Sequence, residues 1–150
     1  DEIRFDDDGK LVLNGVFDGY YYVNGVKTKA GLVECDGGKY FAAGTNGKLK
    51  TGAIWVSASN TNGLLPASYY YFDADGKIYD YTGFIDGYYY VHGQRTASAN
   101  LVLVEGDYYY INSQAQAKTG TFYVSQSKTN GLLPAGYYDF DVNTGKMIID

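Results

Sequence analysis

Gly19-Tyr20-Tyr21-Tyr22-Val23-Asn24-Gly25 decides the fold, because the chain repeats it as Gly87-Tyr88-Tyr89-Tyr90-Val91-His92-Gly93 with the single change of Asn24 to His92. A run of Tyr and Val favours a strand, and Asn24-Gly25 is the strongest short signal for a two-residue type I′ turn, which needs positive φ at both positions. Weaker echoes stand at Tyr40-Phe41, Tyr69-Tyr70-Tyr71-Phe72, Tyr108-Tyr109-Tyr110-Ile111 and Tyr137-Tyr138-Asp139-Phe140. Each is an aromatic strand running into a turn rich in Gly, Asn or Asp.

Working outward, residues 18–75 align with 86–143 at a shift of 68, with nearly half the positions identical and a slip around residues 31–38. The best-kept block is Thr61-Asn62-Gly63-Leu64-Leu65-Pro66-Ala67 against Thr129-Asn130-Gly131-Leu132-Leu133-Pro134-Ala135. Phe5-Asp6-Asp7-Asp8-Gly9-Lys10 matches Phe72-Asp73-Ala74-Asp75-Gly76-Lys77, so residues 1–15 read as the tail of a preceding repeat. Residues 16–83 are then copy 1 and residues 84–150 copy 2, and the chain reads as a segment of something longer. Repetition this strong sets the architecture before any propensity does.

The aromatic clusters begin at Tyr20, Tyr40, Tyr69 and Tyr88, in steps of about 20, 30 and 20 residues. This spacing predicts an all-β fold, an elongated tandem array (solenoid) of antiparallel β-hairpins. An isolated hairpin is marginal in water, so each must bury its aromatic face against a neighbour. Alternation puts Tyr20 and Tyr22 on one face of their strand and Tyr21 on the other. Their hydroxyls are expected at the surface, where water satisfies them. Pro66 lacks an N–H and belongs at a strand entrance or edge. Leu64-Leu65 and Leu132-Leu133 are expected to be buried as the apolar anchor of each long hairpin.

Composition excludes several functions. The 18 Tyr and 20 Gly, with only 2 Pro, suit short strands and tight turns. A net charge of −5 argues against a nucleic-acid partner. No apolar run approaches bilayer length, so no membrane insertion is expected. The lone Cys35 excludes an internal disulfide and reads as a small apolar strand residue. Catalysis has little support: His92, the only histidine, replaces a turn Asn, and the carboxylates sit at turns. The Asp6-Asp7-Asp8-Gly9 and Asp73-Ala74-Asp75-Gly76 turns echo a calcium loop but lack its bidentate Glu, and a plain Asx turn is the reading adopted. No cofactor and no metal is expected.

The Tyr-Tyr-Tyr-Val-Asn-Gly heptad, Tyr70-Tyr71-Phe72-Asp73-Ala74-Asp75-Gly76-Lys77 and the Thr-Gly ahead of each following apolar residue resemble a known family. These are the aromatic β-hairpin repeats of Gram-positive surface and secreted proteins, of the choline-binding, cell-wall-binding, glucan-binding and clostridial toxin C-terminal type. The alternating short and long steps look most like the toxin repeats. The chain departs from the choline-binding pattern in having a single Trp, Trp55. The resemblance implies a secreted or cell-surface location in a Gram-positive bacterium. It also implies further repeats, or a catalytic or adhesive domain, on the same parent chain.

The aromatic side chains set the functional expectation. Sugar rings present C–H faces that stack on aromatic rings, and Asp18, Asp86, Asn24 and Gln94 stand near the tyrosines to meet hydroxyls. Tyr20, Tyr22, Tyr88, Tyr90, Trp55 and Tyr123 are the candidate carbohydrate-binding residues. The chain is therefore expected to be a non-catalytic module binding cell-wall or other polysaccharide. The competing readings are a structural spacer and a protein-binding adhesin segment, in which the same rings only pack or only meet protein.

Overall fold

The computed structural model describes residues 2–5, 7–9 and 11–149, with no account of the side chains of residues 2–5, 11 and 12. The calcium-like turn at Asp6 lies partly outside the described residues. The fold is all-β and built from antiparallel hairpins. It divides into two compact units, Asp1–Tyr79 and Asp80–Asp150.

In the first unit, β1 (Glu2–Phe5), β2 (Leu11–Phe17), β3 (Tyr20–Val23) and β4 (Val26–Lys27) form one meander. Two hairpins follow: β5 (Gly31–Cys35) with β6 (Gly38–Ala42), and β7 (Gly52–Val56) with β8 (Ser68–Phe72). The second unit repeats the plan. β9 (Gly83–Ile85), β10 (Tyr88–Val91) and β11 (Gln94–Arg95) pair in succession. β12 (Asn100–Val104) then pairs with β13 (Asp107–Ile111), and β14 (Gly120–Val124) with β15 (Gly136–Phe140). Among the described residues the helical pieces are single 3₁₀ turns.

Turn chemistry explains the pairing. Asn24-Gly25 and His92-Gly93 both carry φ near +50° and +80° in succession, and so do Asp18-Gly19, Asp36-Gly37, Asp86-Gly87 and Glu105-Gly106. These are type I′ geometries, whose twist matches that of the strands they join. The aromatic run is thus the second strand of each main hairpin as well as the start of the next turn. Glu105 is the surprise, since its side chain has no special tolerance for positive φ.

The alignment slip extends through β6. Gly31 corresponds to Asn100, and both are left-handed, at φ +74° and +66°. The extra residue is inserted ahead of β12 and recovered in the turn after β13, so that β7 and β14 return to register.

Each unit has its own core. In the first, Leu32, Phe41, Val56, Tyr70 and Phe72 are buried together, with the Phe41 and Phe72 rings stacked 6.1 Å apart. In the second, Leu101, Val124 and Phe140 occupy the matching places, and Phe122 stacks on Phe140 at 5.0 Å. A further cluster joins Tyr89, Val104, Tyr109 and Ile111 to the edge of Phe84. Full burial of each such side chain contributes about 1.5–3 kcal/mol.

The repeated Thr-Asn-Gly-Leu-Leu-Pro-Ala block is less deeply buried than expected, with Leu64, Leu65 and Leu133 packed against the cores but not within them. Leu132 is 37% exposed, and Leu64, Leu65 and Leu133 are only half-buried. The block is a turn, closed by Leu64 N–H to the Thr61 carbonyl and by Leu132 N–H to that of Thr129, which leaves its leucines at the edge of the core. The tie is made by asparagine. Asn62 Nδ2 donates to the carbonyls of Ala30 (2.7 Å) and Leu32 (2.8 Å) on β5. Asn130 Nδ2 repeats it on Ala99 (2.7 Å) and Leu101 (2.8 Å) at β12. Both asparagines adopt positive φ, which that residue tolerates. Pro66 stands just before β8, and its carbonyl accepts the buried Tyr70 hydroxyl at 2.5 Å. The hydroxyl of Tyr70 is therefore satisfied inside the protein rather than at the surface.

Candidate ligand-binding site

The long hairpins present the aromatic surface. In β7–β8 the register pairs Gly52 with Phe72, Ile54 with Tyr70 and Val56 with Ser68, and this face turns inward. The opposite face pairs Ala53 with Tyr71 and Trp55 with Tyr69. In β14–β15 the inward pairs are Gly120–Phe140, Phe122–Tyr138 and Val124–Gly136, leaving Thr121–Asp139 and Tyr123–Tyr137 outward. Period-2 alternation against a single core is the whole cause of this sorting.

Each outward face carries one close aromatic pair. Trp55 and Tyr69 meet edge-on at 5.2 Å and 60°, and Tyr123 and Tyr137 at 5.2 Å and 67°. Exposure is 52% for Trp55, 40% for Tyr69, 55% for Tyr123 and 75% for Tyr137. Two partly exposed rings at a steep angle form an open corner, in which one ring can serve as a stacking face and the other as a wall. In the first unit Tyr71 and Tyr79 continue the aromatic surface, their rings 6.3 Å apart. In the second, Asp139 takes the place of Tyr71, and its Oδ1 accepts a hydrogen bond from the Thr121 hydroxyl at 3.1 Å.

The short-step tyrosines are placed otherwise. Tyr20, Tyr22 and Tyr88 are half-buried, and Tyr90 is 1% exposed, with its hydroxyl accepting from Arg95 Nε (3.2 Å) and Nη2 (3.0 Å). Lys27 Nζ lies 3.8 Å from the centre of the Tyr20 ring, and the Arg95 guanidinium lies 3.9 Å from that of Tyr88. These cations stand at matching positions of the two copies and cover the ring faces that a ligand would use. The geometry brings Trp55 and Tyr123 to exposed corners, and it does not join them to Tyr20, Tyr22, Tyr88 or Tyr90. Sequence reasoning missed Tyr69 and Tyr137, the partners in those corners. The signal was present: counting back by twos from the inward Phe72 and Phe140 assigns neither ring to the core.

The remaining polar features are accounted for locally. His92 Nδ1 and Asp80 Oδ1 stand 2.7 Å apart, both highly exposed. Asp73 Oδ1 accepts the N–H groups of Asp75 (2.9 Å) and Lys77 (3.1 Å). Asn112 does the same for Gln114 and Gln116, so a neutral amide serves this turn as well as a carboxylate. Asp141 accepts from Asn143 (2.7 Å) and Thr144 (2.9 Å), and these N–H groups hold its carboxyl below the usual range. Burial pushes the phenols of Tyr70 and Tyr89 above theirs. A cleft of about 320 Å³ in the second unit is lined by uncharged turn residues, among them Gly87, Asn112, Gln116 and Asn143, and holds none of the exposed aromatic rings.

No protein-family model and no curated protein matches the sequence. Solved structures do. CbpJ from Streptococcus pneumoniae TIGR4 superimposes with a TM-score of 0.55 at 20% identity, over 97% of this chain and 49% of its own. Choline binding protein F from Streptococcus pneumoniae is 20% identical over 97% of this chain and 62% of its own, with a TM-score of 0.45. The chain carries the aromatic hairpin-repeat fold. It spans about half the length of CbpJ. In this chain the outward faces of both long hairpins carry an aromatic corner at the same register.

Proposed function

We propose that this chain is a non-catalytic repeat module of a bacterial secreted or cell-surface protein that binds cell-wall or other polysaccharide by aromatic stacking. The observation that carries the reading is the pair of exposed corners, Trp55–Tyr69 and Tyr123–Tyr137, at one register in both copies. Packing requires the inward face of each hairpin and nothing of the outward one. Large exposed rings without a packing role are a liability to solubility, and their retention in both copies fits a ligand-facing role. The shared fold with CbpJ is compatible with this reading.

The test is binding of the chain to immobilised peptidoglycan, chitin and α-glucan, with Trp55→Ala and Tyr123→Ala singly and together. Loss of binding in the double variant, with an unchanged melting temperature, is the result expected. Binding of no polysaccharide by the unaltered chain would overturn the reading in favour of a spacer, and selective capture of protein would favour an adhesin.

A further inference from the structure

We infer that the two corners differ in ligand class, and that the Tyr123–Tyr137–Asp139 surface of β14–β15 takes polysaccharides bearing free amino groups. This rests on the polysaccharide reading above and adds the charge of the ligand. The two outward faces share one register and differ at three of four positions, of which only Tyr71 to Asp139 introduces a charge. Where the first unit has Ala53 opposite Tyr71, the second has Thr121 opposite Asp139.

Aspartate is depleted from strands, and nothing in the hairpin requires one here. Its Oδ1 accepts a hydrogen bond from the Thr121 hydroxyl, and the side chain lies on the exposed face of the hairpin. Neither the His92–Asp80 nor the Lys146–Asp107 ion pair involves Asp139. The carboxylate is exposed.

Asp139 lies on the same strand face as Tyr137, about 7 Å along it at two residues' rise. A sugar stacked on Tyr137, with Tyr123 as the wall, extends its neighbouring residue over Asp139. A carboxylate at that point prefers an ammonium donor, through a charge-assisted hydrogen bond, over the acetamido group of an acetylated sugar. Trp55–Tyr69, flanked by Ala53 and Tyr71, offers no charge and suits a neutral sugar face.

The test compares chitin with chitosan, the same backbone acetylated and largely deacetylated, binding the full chain at low and at high salt. The chain is expected to favour chitosan by about fivefold at low salt, the size of an exposed charge pair. High salt should erase that preference. Asp139→Asn should also abolish it while leaving the melting temperature unchanged. Asp141→Asn, which removes an exposed carboxylate outside the corner, should leave it in place. Equal binding of the two polymers, or a preference that survives Asp139→Asn, overturns this inference while the polysaccharide reading stands. Failure to bind chitin, chitosan or any other polysaccharide overturns that earlier reading, and this one with it.

Discussion

A single side-chain amide ties each long loop to a strand that precedes it by about thirty residues. Asn62 donates both N–H groups of its amide to the Ala30 and Leu32 carbonyls, and Asn130 does the same for Ala99 and Leu101. Asn62→Asp removes both donors and sets a carboxylate against two carbonyl oxygens. It should destabilise the first unit by about 2–3 kcal/mol, read by urea denaturation, and leave the second unit unaffected. Glycine matters at one further residue. A Cβ on Gly47, at φ +76°, would stand 2.2 Å from the Thr28 carbonyl oxygen, whereas one on Gly37, at φ +78°, would meet nothing within 4 Å. Gly47→Ala should therefore cost at least about 2 kcal/mol more than Gly37→Ala, because both bear the backbone strain but only one bears the clash. Equal losses in a thermal melt would show that the backbone at Gly47 yields.

At the scale of the element, the turns and hairpins respond to pH in opposite directions. The Asp141 carboxyl is held below its usual range by two backbone N–H groups. Its contribution is therefore full above the ordinary carboxylate pKa and is lost as pH falls through the depressed value. Asp141→Asn should keep the turn and remove that acid sensitivity, as Asn112 already holds the equivalent turn without charge; an NMR titration of the turn amides checks it. Tyr70 and Tyr89 have phenols raised by burial, so their contribution is full below the ordinary phenol pKa and is lost as pH rises through the raised one. Within β14–β15, Phe140 is fully buried under Phe122, and Phe140→Ala should cost about 3–5 kcal/mol. Tyr137, one turn of the pleat away but outward, should lose under about 0.5 kcal/mol on the same change.

For the whole molecule, the proposed reading places two weak corners on one chain, which would make binding to a repetitive polymer multivalent. A shallow corner desolvates little of its ligand, so each alone binds weakly. Avidity raises the pair above either corner by about 10²–10⁴ where the polymer spans both. Trp55→Ala and Tyr123→Ala should each reduce polymer binding steeply, and soluble short oligosaccharides should show no such gain. Calorimetry with a short oligosaccharide, set beside a pull-down on the insoluble polymer, separates the two regimes.

Most of this architecture was legible in the sequence. Tyr-Tyr-Tyr-Val-Asn-Gly states a strand and a type I′ turn in local terms, and its copy at a shift of 68 states the array; both depend on neighbours in the chain, which sequence displays directly. The Asx turns and the strand-entrance place of Pro66 were legible for the same reason. What the sequence left open was which identical-looking tyrosines face water. Tyr88 and Tyr90 share a face with Arg95 beside them, and only the three-dimensional packing shows that guanidinium covering one ring and binding the other's hydroxyl. The asparagine tie was equally hidden, since its carbonyl partners lie about thirty residues away. Local conformation follows from adjacent residues, whereas exposure and long-range hydrogen bonding follow from what folds against them, and that only the tertiary structure decided.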